Sequence, residues 1–198
     1  MLINDNNADS SKYKYSASNL NERINIAQLD VVKKTKCLEG REYITVSSAS
    51  YTYTISTMTI ETVRAGFQNS SSTTTFQVLV KVTQADMDLI KDWETKPAGN
   101  PQQFFMRKNT LNLYPKPSGT YAGYLVRHDY IKIPATLSSD GSIPFDGELY
   151  LEPYHPLIIW YVVALCRADV SGDLASDQYY KKYLEEITLI IKDPGMMR

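Results

Sequence analysis

The two histidines of the sequence are the first candidates for a general acid or base, because imidazole titrates near neutral pH. His128 stands between Arg127 and Asp129 in a predicted strand. Alternation places its ring on the face opposite both neighbours, which predicts a solvent-facing or cross-strand role. His155 directly precedes Pro156 at a predicted helix start. There we expect packing at the first helical turn rather than catalysis.

Three aspartates spaced four residues apart, Asp169, Asp173 and Asp177, raise the question of a metal site. The calcium loop D-x-[DN]-x-[DN]-G requires closer ligands and a distal Glu, and Gly172 falls in the wrong place for it. We therefore predict that these carboxylates cap the last helix near Asp173 and that the protein binds no metal.

The sequence contains none of the short motifs that mark common enzyme sites. It has no G-x-x-x-x-G-K-[ST], G-x-G-x-x-G, G-x-S-x-G or H-E-x-x-H. A catalytic site also needs a nucleophile or base, a partner within hydrogen-bond reach and a group that orients them. Because no pattern supplies that set, we predict a protein without enzymatic activity and without a cofactor.

Composition narrows the class of protein further. The 198 residues are 43% hydrophobic and 22% charged, with a net charge of -1 and no block of like charges. A chain of this balance lacks the basic surface that grips phosphates, so we expect no sequence-specific nucleic-acid binding. Cys37 and Cys166 form neither a C-x-x-C pair nor a disulfide framework, and we predict that both are buried thiols in a reducing compartment.

The apolar segments predict no membrane anchor. The longest apolar run, residues 157–166, is ten residues long, about half of what a helix needs to span a bilayer. It predicts a buried central helix instead. The polar start, residues 1–19, lacks a basic segment followed by an apolar one, so we expect no secretory signal.

Helical periodicity appears near both ends of the chain. Asn19 and Glu22 have the form of a capping box, and apolar residues recur at helical spacing over residues 20–35. Glu39-Gly40 is expected to end this helix. Two more helices are predicted, over residues 157–170 and after Gly172.

The middle of the chain has the alternation and the tyrosine content of strands, since 15 residues are Tyr. A short helix capped by Thr83 is predicted over residues 86–93, and a polar loop over residues 68–75. The seven predicted strands cover residues 43–46, 51–56, 58–67, 76–82, 103–106, 110–114 and 121–130.

This order of elements predicts an α+β fold in which terminal helices pack as a small bundle and a mainly antiparallel β domain is inserted between them. The expected divisions are a flexible N-terminal arm at 1–18, a bundle formed by 19–40 and 153–193, a β domain at 41–152, and a C-terminal tail at 194–198.

Residues of the middle region resemble the bacteriophage head-to-tail connector family, the adaptor proteins that form a ring beneath the portal. In that family a Trp, a G-x-P before an aromatic strand, an L-x-L-Y-P-x-P turn and a strand ending in Tyr recur in this order. A helix start similar to Pro153–Ile158 follows. The matching residues here are Trp93, Gly99, Pro101, Phe104, Tyr114, Pro115, Pro117, Tyr130 and His155.

The resemblance implies a structural virion protein at the head–tail junction, assembled in the host cytoplasm as a ring of twelve copies. Its implied partners are the portal on one side, the next tail or ring component on the other, and double-stranded DNA passing without sequence specificity through the channel. No membrane partner is implied. The near-neutral charge suits a channel in which DNA slides during packaging and ejection.

Aromatic residues and the chain ends are the candidate contacts with neighbouring subunits and partner rings, because Tyr offers a large contact area with a polar group. The arm is expected to order against a neighbour or a partner, and the tail to insert into the portal. The candidate contact residues are Tyr13, Tyr15, Tyr51, Tyr53, Met196, Met197 and Arg198.

A different class of protein, a β-rich virion accessory or a carbohydrate- or receptor-binding module, is the alternative. Its stacking platforms would be Trp93, Tyr51 and Tyr53. The exposure of these rings distinguishes a sugar-binding module from a connector. A sugar site needs clustered solvent-facing rings beside carboxylates, whereas a connector needs the rings beneath neighbouring subunits.

Overall fold

The computed structural model describes residues 15–48, 50–68, 76–139 and 141–192. Contacts divide the chain into a helical unit, Met1–Cys37 with Pro134–Arg198, and a strand-rich unit, Leu38–Ile133. Helices lie near both ends and two mostly antiparallel sheets lie in the middle, which confirms the predicted α+β class. The strand-rich unit ends at Ile133, whereas the β domain was expected to reach residue 152.

Three long helices form the helical unit: α1 (Ala17–Thr35), α3 (His155–Ser171) and α4 (Gln178–Lys192). They lie where periodicity predicted helices. The predicted end of α1 at Thr35 is confirmed, whereas its predicted start at residue 20 and the terminating pair Glu39-Gly40 are wrong. Ser16 caps the helix by accepting the Asn19 N–H at 3.2 Å, so the helix begins at Ala17. Its last turn closes at Lys36, which adopts φ 58 in the left-handed region, because Glu39 already belongs to a strand.

Polar side chains of α1 explain why the stretch after Ile133 belongs with the helices. The Asn25 carboxamide pairs with both backbone groups of Leu137, at 2.8 and 3.0 Å. Gln28, 1% exposed, donates to the Ala135 carbonyl at 2.9 Å and accepts the Phe145 N–H at 3.3 Å. These bonds satisfy backbone groups of a segment that, within the described part of the chain, belongs to no strand.

Tyrosines also pack inside the helical unit, although the high tyrosine content was interpreted as a sign of strands. Tyr183 of α4 is fully buried, stacks on Tyr161 with ring centroids 4.8 Å apart, and donates to the Asp30 carboxylate of α1. Lys34 lies over the Tyr183 ring and pairs with Asp30 at 2.6 Å. The contact between α1 and α4 therefore combines aromatic packing with a satisfied polar pair.

The strand-rich unit contains two four-stranded sheets within the described residues. The strands are β1 (Glu39–Thr45), β2 (Thr52–Thr54), β3 (Thr59–Gln68), β4 (Phe76–Val78), β5 (Val80–Lys81), β6 (Gln103–Arg107), β7 (Thr110–Tyr114) and β8 (Leu125–Lys132). The first sheet has the order β1-β8-β3-β4 and is antiparallel. The second has the order β2-β7-β6-β5, with β5 and β6 parallel.

Two local predictions in this unit had different outcomes. The short helix α2 (Gln84–Asp88) is capped by Thr83 in a reciprocal capping box with Asp86, so the predicted cap is confirmed, but the helix ends at Asp88 rather than at residue 93. Strand β8 begins at Leu125 rather than at Tyr121, because residues 119–121 form a turn of 3-10 helix. Residues 69–75 of the predicted polar loop lie outside the described residues.

The core of this unit lies between the two sheets. The first sheet contributes Ala65, Phe67 and Val126, and the second contributes Phe104 and Leu111, all at most 4% exposed. Because successive side chains of a strand point to opposite faces, the neighbours of these core residues lie on the outer faces of the two sheets.

One helical segment of the described chain, Leu149–Ser171, is long and apolar enough by length and composition to cross a membrane. It is longer than the ten-residue run because a 3-10 turn with Pro153 continues into α3. In this structure α3 packs against α1 and α4. A central helix of a bundle passes the same test.

Candidate interaction surface

His128 lies at the centre of a hydroxyl–imidazole–carboxylate chain in the first sheet. Its Nε2 is 2.9 Å from Thr62 Oγ1 on β3, and its Nδ1 is 2.8 Å from Glu42 Oε1 on β1. The order of groups resembles a catalytic triad, but His128 is wholly buried and Thr62 is 4% exposed. A substrate therefore has no access to the hydroxyl, and the groups satisfy one another across the sheet. The role is cross-strand, not solvent-facing.

His155 packs at the start of α3, as predicted. Its ring stacks on Phe145 with centroids 5.9 Å apart. Its Nε2 is buried and has no hydrogen-bond partner among the described residues. The ring thus contributes packing area to the helical unit.

The aspartates near α4 act locally. Asp177, not Asp173, caps the helix by accepting the Tyr179 N–H at 2.8 Å. Asp173 accepts backbone N–H groups of the preceding turn, and Asp169 pairs with Arg23 at 2.5 Å. Across the described ranges, no group of three or more His, Cys, Asp or Glu is placed to hold a metal ion.

Both cysteines are free and buried, as predicted. Burial raises the pKa of the Cys37 thiol, with partial opposition from a hydrogen bond with Thr35. A thiol of raised pKa is a weak nucleophile, so Cys37 acts as a small apolar packing group.

The family-motif residues of the middle region meet in the strand-rich unit. The Gly99 N–H donates to the Lys116 carbonyl at 2.8 Å, and Gly99 forms a bridge with Pro117. The N–H of Gln102 donates to Tyr114 at 2.9 Å. These bonds hold the G-x-P segment along the L-Y-P-x-P turn. Pro101, Pro117, Phe104 and Tyr130 are buried, and the Tyr114–Pro115 peptide is cis.

The three rings proposed as a stacking platform have different environments. Trp93 makes edge contacts with Tyr51 and Phe105, each with centroids 5.2 Å apart. The Tyr51 hydroxyl lies 3.5 Å from the Glu94 carboxylate. Tyr53 is 7% exposed, and its hydroxyl donates to the Ser50 carbonyl at 2.8 Å. Tyr53 therefore presents no ring to a partner.

The chain ends are described only in part. The Tyr15 hydroxyl donates to the Cys166 carbonyl at 2.6 Å, and Arg23 lies over the Tyr15 ring. Tyr15 thus contacts its own chain. The candidates Tyr13, Met196, Met197 and Arg198 lie outside the described residues.

A cluster that sequence reasoning missed lies on the outer face of the first sheet. Asp129 of β8 accepts from Arg41 Nε and Arg64 Nε at 2.6 Å each, and from Arg127 at 2.8 Å. We call these four residues the arginine patch. The register sets Asp129 opposite Arg41 of β1 and Arg64 of β3. Alternation along β8 predicted that Arg127 and Asp129 share a face. Only the pairing of β8 with β1 and β3 places Arg41 and Arg64 beside them.

The electrostatics of the patch favour an ionised carboxylate. Burial alone would raise the pKa of Asp129, but hydrogen bonds from Arg127, Arg41 and Arg64 outweigh it and hold the pKa well below its usual range. The Asp129 side chain is 10% exposed, whereas those of Arg41 and Arg64 are 50% exposed. The patch is therefore a positioned set of three guanidinium groups, of which Arg41 and Arg64 are half open to solvent and Arg127 is mostly covered.

A family model described as SU10 adaptor protein matches residues 2–196, nearly the whole chain. The chain belongs to the SU10 adaptor protein family. This membership confirms the resemblance to the phage head-to-tail adaptors and supports a structural adaptor role, as a virion component in an assembly with portal and tail components. No curated protein matched the chain.

This adaptor also exposes apolar side chains on the helical unit. On α3, Ile159 is 60% and Val170 is 72% exposed; on α4, Leu189 is 57% and Ile191 is 51% exposed. Apolar residues in such numbers on two adjacent helices are typical of a surface that a partner covers.

Gly66 leaves room for the Phe76 ring, on which Arg127 of the arginine patch packs. Replacing Gly66 is therefore expected to disturb the ring and the patch. A Cβ at Gly66 would lie 1.8 Å from the Phe76 ring, which Arg127 covers at 4.3 Å. Gly66→Ala must displace that ring, so we expect a loss of about 1 to 3 kcal/mol in the free energy of unfolding, measured in urea. Gly99→Ala is the control, because its nearest atom would be 3.8 Å away. Equal losses in the two variants would show that the ring contact is unimportant.

Proposed function

We propose that this adaptor forms a dodecameric ring that joins the portal to the next tail component and forms part of the DNA channel. In this role the ring helps to retain packaged DNA and passes it on ejection. Assembly takes place in the host cytoplasm. The family match over residues 2–196 is the observation that carries the proposal.

The exposed side chains support a ring. A ring closes by heterologous contacts, in which each subunit offers two different surfaces to its neighbours. The adaptor has apolar residues exposed on α3 and α4, and a charged face on the first sheet. Each of these two surfaces is a candidate for one side of such a contact.

The charge balance supports passage of DNA. Binding to duplex DNA depends on many Lys or Arg contacts with phosphates, each of which releases counterions. The chain has a net charge of -1, with 21 basic and 22 acidic residues. A channel of near-neutral subunits lets the duplex slide.

The chain ends remain part of the proposal. We expect residues 1–14, with Tyr13, to contact a neighbouring subunit, and Met196–Arg198 to contact the portal. Tyr51 stays a candidate contact beside Trp93. The alternative carbohydrate-binding module loses one of its three platforms, because Tyr53 is buried.

Mass photometry of the adaptor, alone and mixed with the portal ring encoded in the same genome, tests the proposal. We expect a mass gain that saturates when each portal subunit carries one adaptor of 22.5 kDa. An unrelated ring of similar size is the control for non-specific adsorption. If the portal gains no mass and the adaptor forms no ring alone, the proposed function is wrong.

A further inference from the structure

We propose that, in the ring, the arginine patch of one subunit binds an acidic loop of its neighbour. The acidic loop is the segment Asp88–Thr95, whose residues line a shallow groove after α2. This inference rests on the proposed ring function and specifies one of its subunit contacts.

The two surfaces lie on opposite outer faces of the strand-rich unit. In the first sheet, Ala65 and Val126 face the core, so Arg64 and Arg127 point outward. In the second sheet, Phe104 faces the core, so Phe105 lies on the outer face. Trp93 packs on Phe105 and thereby places the acidic loop there. Two unlike surfaces on opposite faces suit a head-to-tail contact that repeats around a ring.

The charges of the two surfaces match. Three guanidinium groups around the Asp129 carboxylate give the four residues of the arginine patch a net charge of two positive, and the carboxylates of Glu39 and Glu61 lie at the edge of the patch, opposite Ile131. The acidic loop has the carboxylates of Asp88, Asp92 and Glu94 against the single cation of Lys91, which leaves two negative charges. Among the described residues, every ion pair of the three arginines is made with Asp129.

The arginines are positioned to bind further carboxylates. Asp129 bonds Arg41 and Arg64 through Nε, so their terminal Nη groups can reach another acceptor. The guanidinium fork binds carboxylates in bidentate geometry, and a fork that is already held loses less entropy on binding.

Apolar residues beside both surfaces favour a protein partner. Leu89 at the start of the acidic loop is 85% exposed. Beside the arginine patch, Tyr43 is 52% and Val63 is 51% exposed. Exposed aromatic and aliphatic residues next to complementary charges are the ingredients of a protein–protein interface.

Duplex DNA fits the arginine patch less well. Glu39 and Glu61 both lie opposite Ile131, on the same outer face, one residue pair from Arg41 and Arg64. Two carboxylates so close to the arginines oppose a phosphate backbone, which needs a continuous basic surface. A loop that combines carboxylates with a lysine tolerates this pattern of charges.

Charge reversal tests the contact. The patch-reversed variant carries Arg41→Glu and Arg64→Glu, and the loop-reversed variant carries Asp88→Lys and Glu94→Lys. Either variant alone places like charges at every contact, so we expect the concentration for half-maximal ring assembly on the portal to rise about tenfold or more. Mixed in equal amounts, the two variants place opposite charges at every contact of an alternating ring. We therefore expect the mixture to assemble at nearly the wild-type concentration.

Matched variants separate this result from a loss of folding or of net charge. Arg107→Glu with Lys108→Glu has the same change of charge as the patch-reversed variant, at the exposed β6–β7 turn. We expect it to assemble as the wild type does. Circular dichroism and thermal unfolding verify each fold. If the patch-reversed variant does not fold, Arg41→Gln with Arg64→Gln replaces it, and we expect weaker assembly with a reduced dependence on salt.

The outcomes distinguish this inference from the proposed function. If the wild type assembles and both reversed variants assemble equally well, the contact is wrong while the ring function stands. If the patch-reversed variant fails and the loop-reversed variant does not rescue it, the arginine patch binds something other than the acidic loop. Loss of duplex DNA retention in that variant would then identify DNA as the partner. If the wild type forms no ring under any condition, both proposals fail.

Discussion

Replacing Asp129 with asparagine is expected to lower the free energy of unfolding of the strand-rich unit by about 2 to 4 kcal/mol. Asparagine preserves the size of the side chain but removes the charge that three arginines share. The three guanidinium groups then repel one another at short range. The effect falls below that of a fully buried pair because Arg41 and Arg64 are half exposed and partly screened by water.

The same carboxylate makes stability depend on pH. Because the pKa of Asp129 in the folded protein is lower than in the unfolded chain, its contribution is complete above the unfolded pKa of about 3.9. It is lost progressively as the pH falls from that value toward the folded pKa. In Asp129→Asn we expect the stability curve between pH of about 5 and 2 to be flatter than in the wild type.

Hydrogen exchange of backbone amides in β1, β3 and β8 measures this effect within the strand-rich unit. Protection is expected to decrease in these strands and to stay unchanged in α1, α3 and α4. The control Asp92→Asn makes the same chemical change at an exposed position. Wild-type protection and an unchanged acid profile in Asp129→Asn would show that the arginines need no common carboxylate.

Replacing Gln28 with leucine is expected to destabilise the helical unit by about 2 to 4 kcal/mol. Gln28 is almost fully buried and bonds Asn25, the Ala135 carbonyl and the Phe145 N–H. Leucine has a similar volume but no polar group. The buried Phe145 N–H then has no acceptor, and an unsatisfied buried donor costs more than a lost surface bond.

Urea unfolding followed by the helical circular dichroism signal measures the change in Gln28→Leu. Gln178→Leu at the exposed start of α4 is the matched control, and we expect it to change stability by less than about 0.5 kcal/mol. Increased exchange at the amide of Phe145 would locate the lost bond. A midpoint for Gln28→Leu equal to that of the control would contradict the role given to this side chain.

The sequence alone predicted elements whose causes are local. Helical spacing located α1, α3 and α4, and the Thr83 cap located α2, because these patterns depend on neighbours within one or two turns. The order of Trp93, Gly99, Pro101 and the L-Y-P-x-P turn indicated the family. Alternation also placed His128 on the face opposite Arg127 and Asp129.

Local sequence patterns did not determine where α1 begins or to which unit residues 134–154 belong. Ser16 and Asn19 are both good helix caps, and the choice of Ser16 gives α1 a further turn. The stretch 134–154 has no periodicity that assigns it to a unit. Its bonds with Asn25 and Gln28 do so, and these partners are more than 100 residues away.

The tertiary structure alone decided the candidate interaction surfaces. Arg41 and Arg64 reach Asp129 because β1 and β3 flank β8 in one register, and a shift of one residue would turn these side chains into the core. Tyr53, predicted as a contact, faces the space between the sheets and is buried. Alternation along a strand predicts which residues share a face. Only the pairing and packing of distant strands determine which face is buried in the core and which charged side chains lie next to one another.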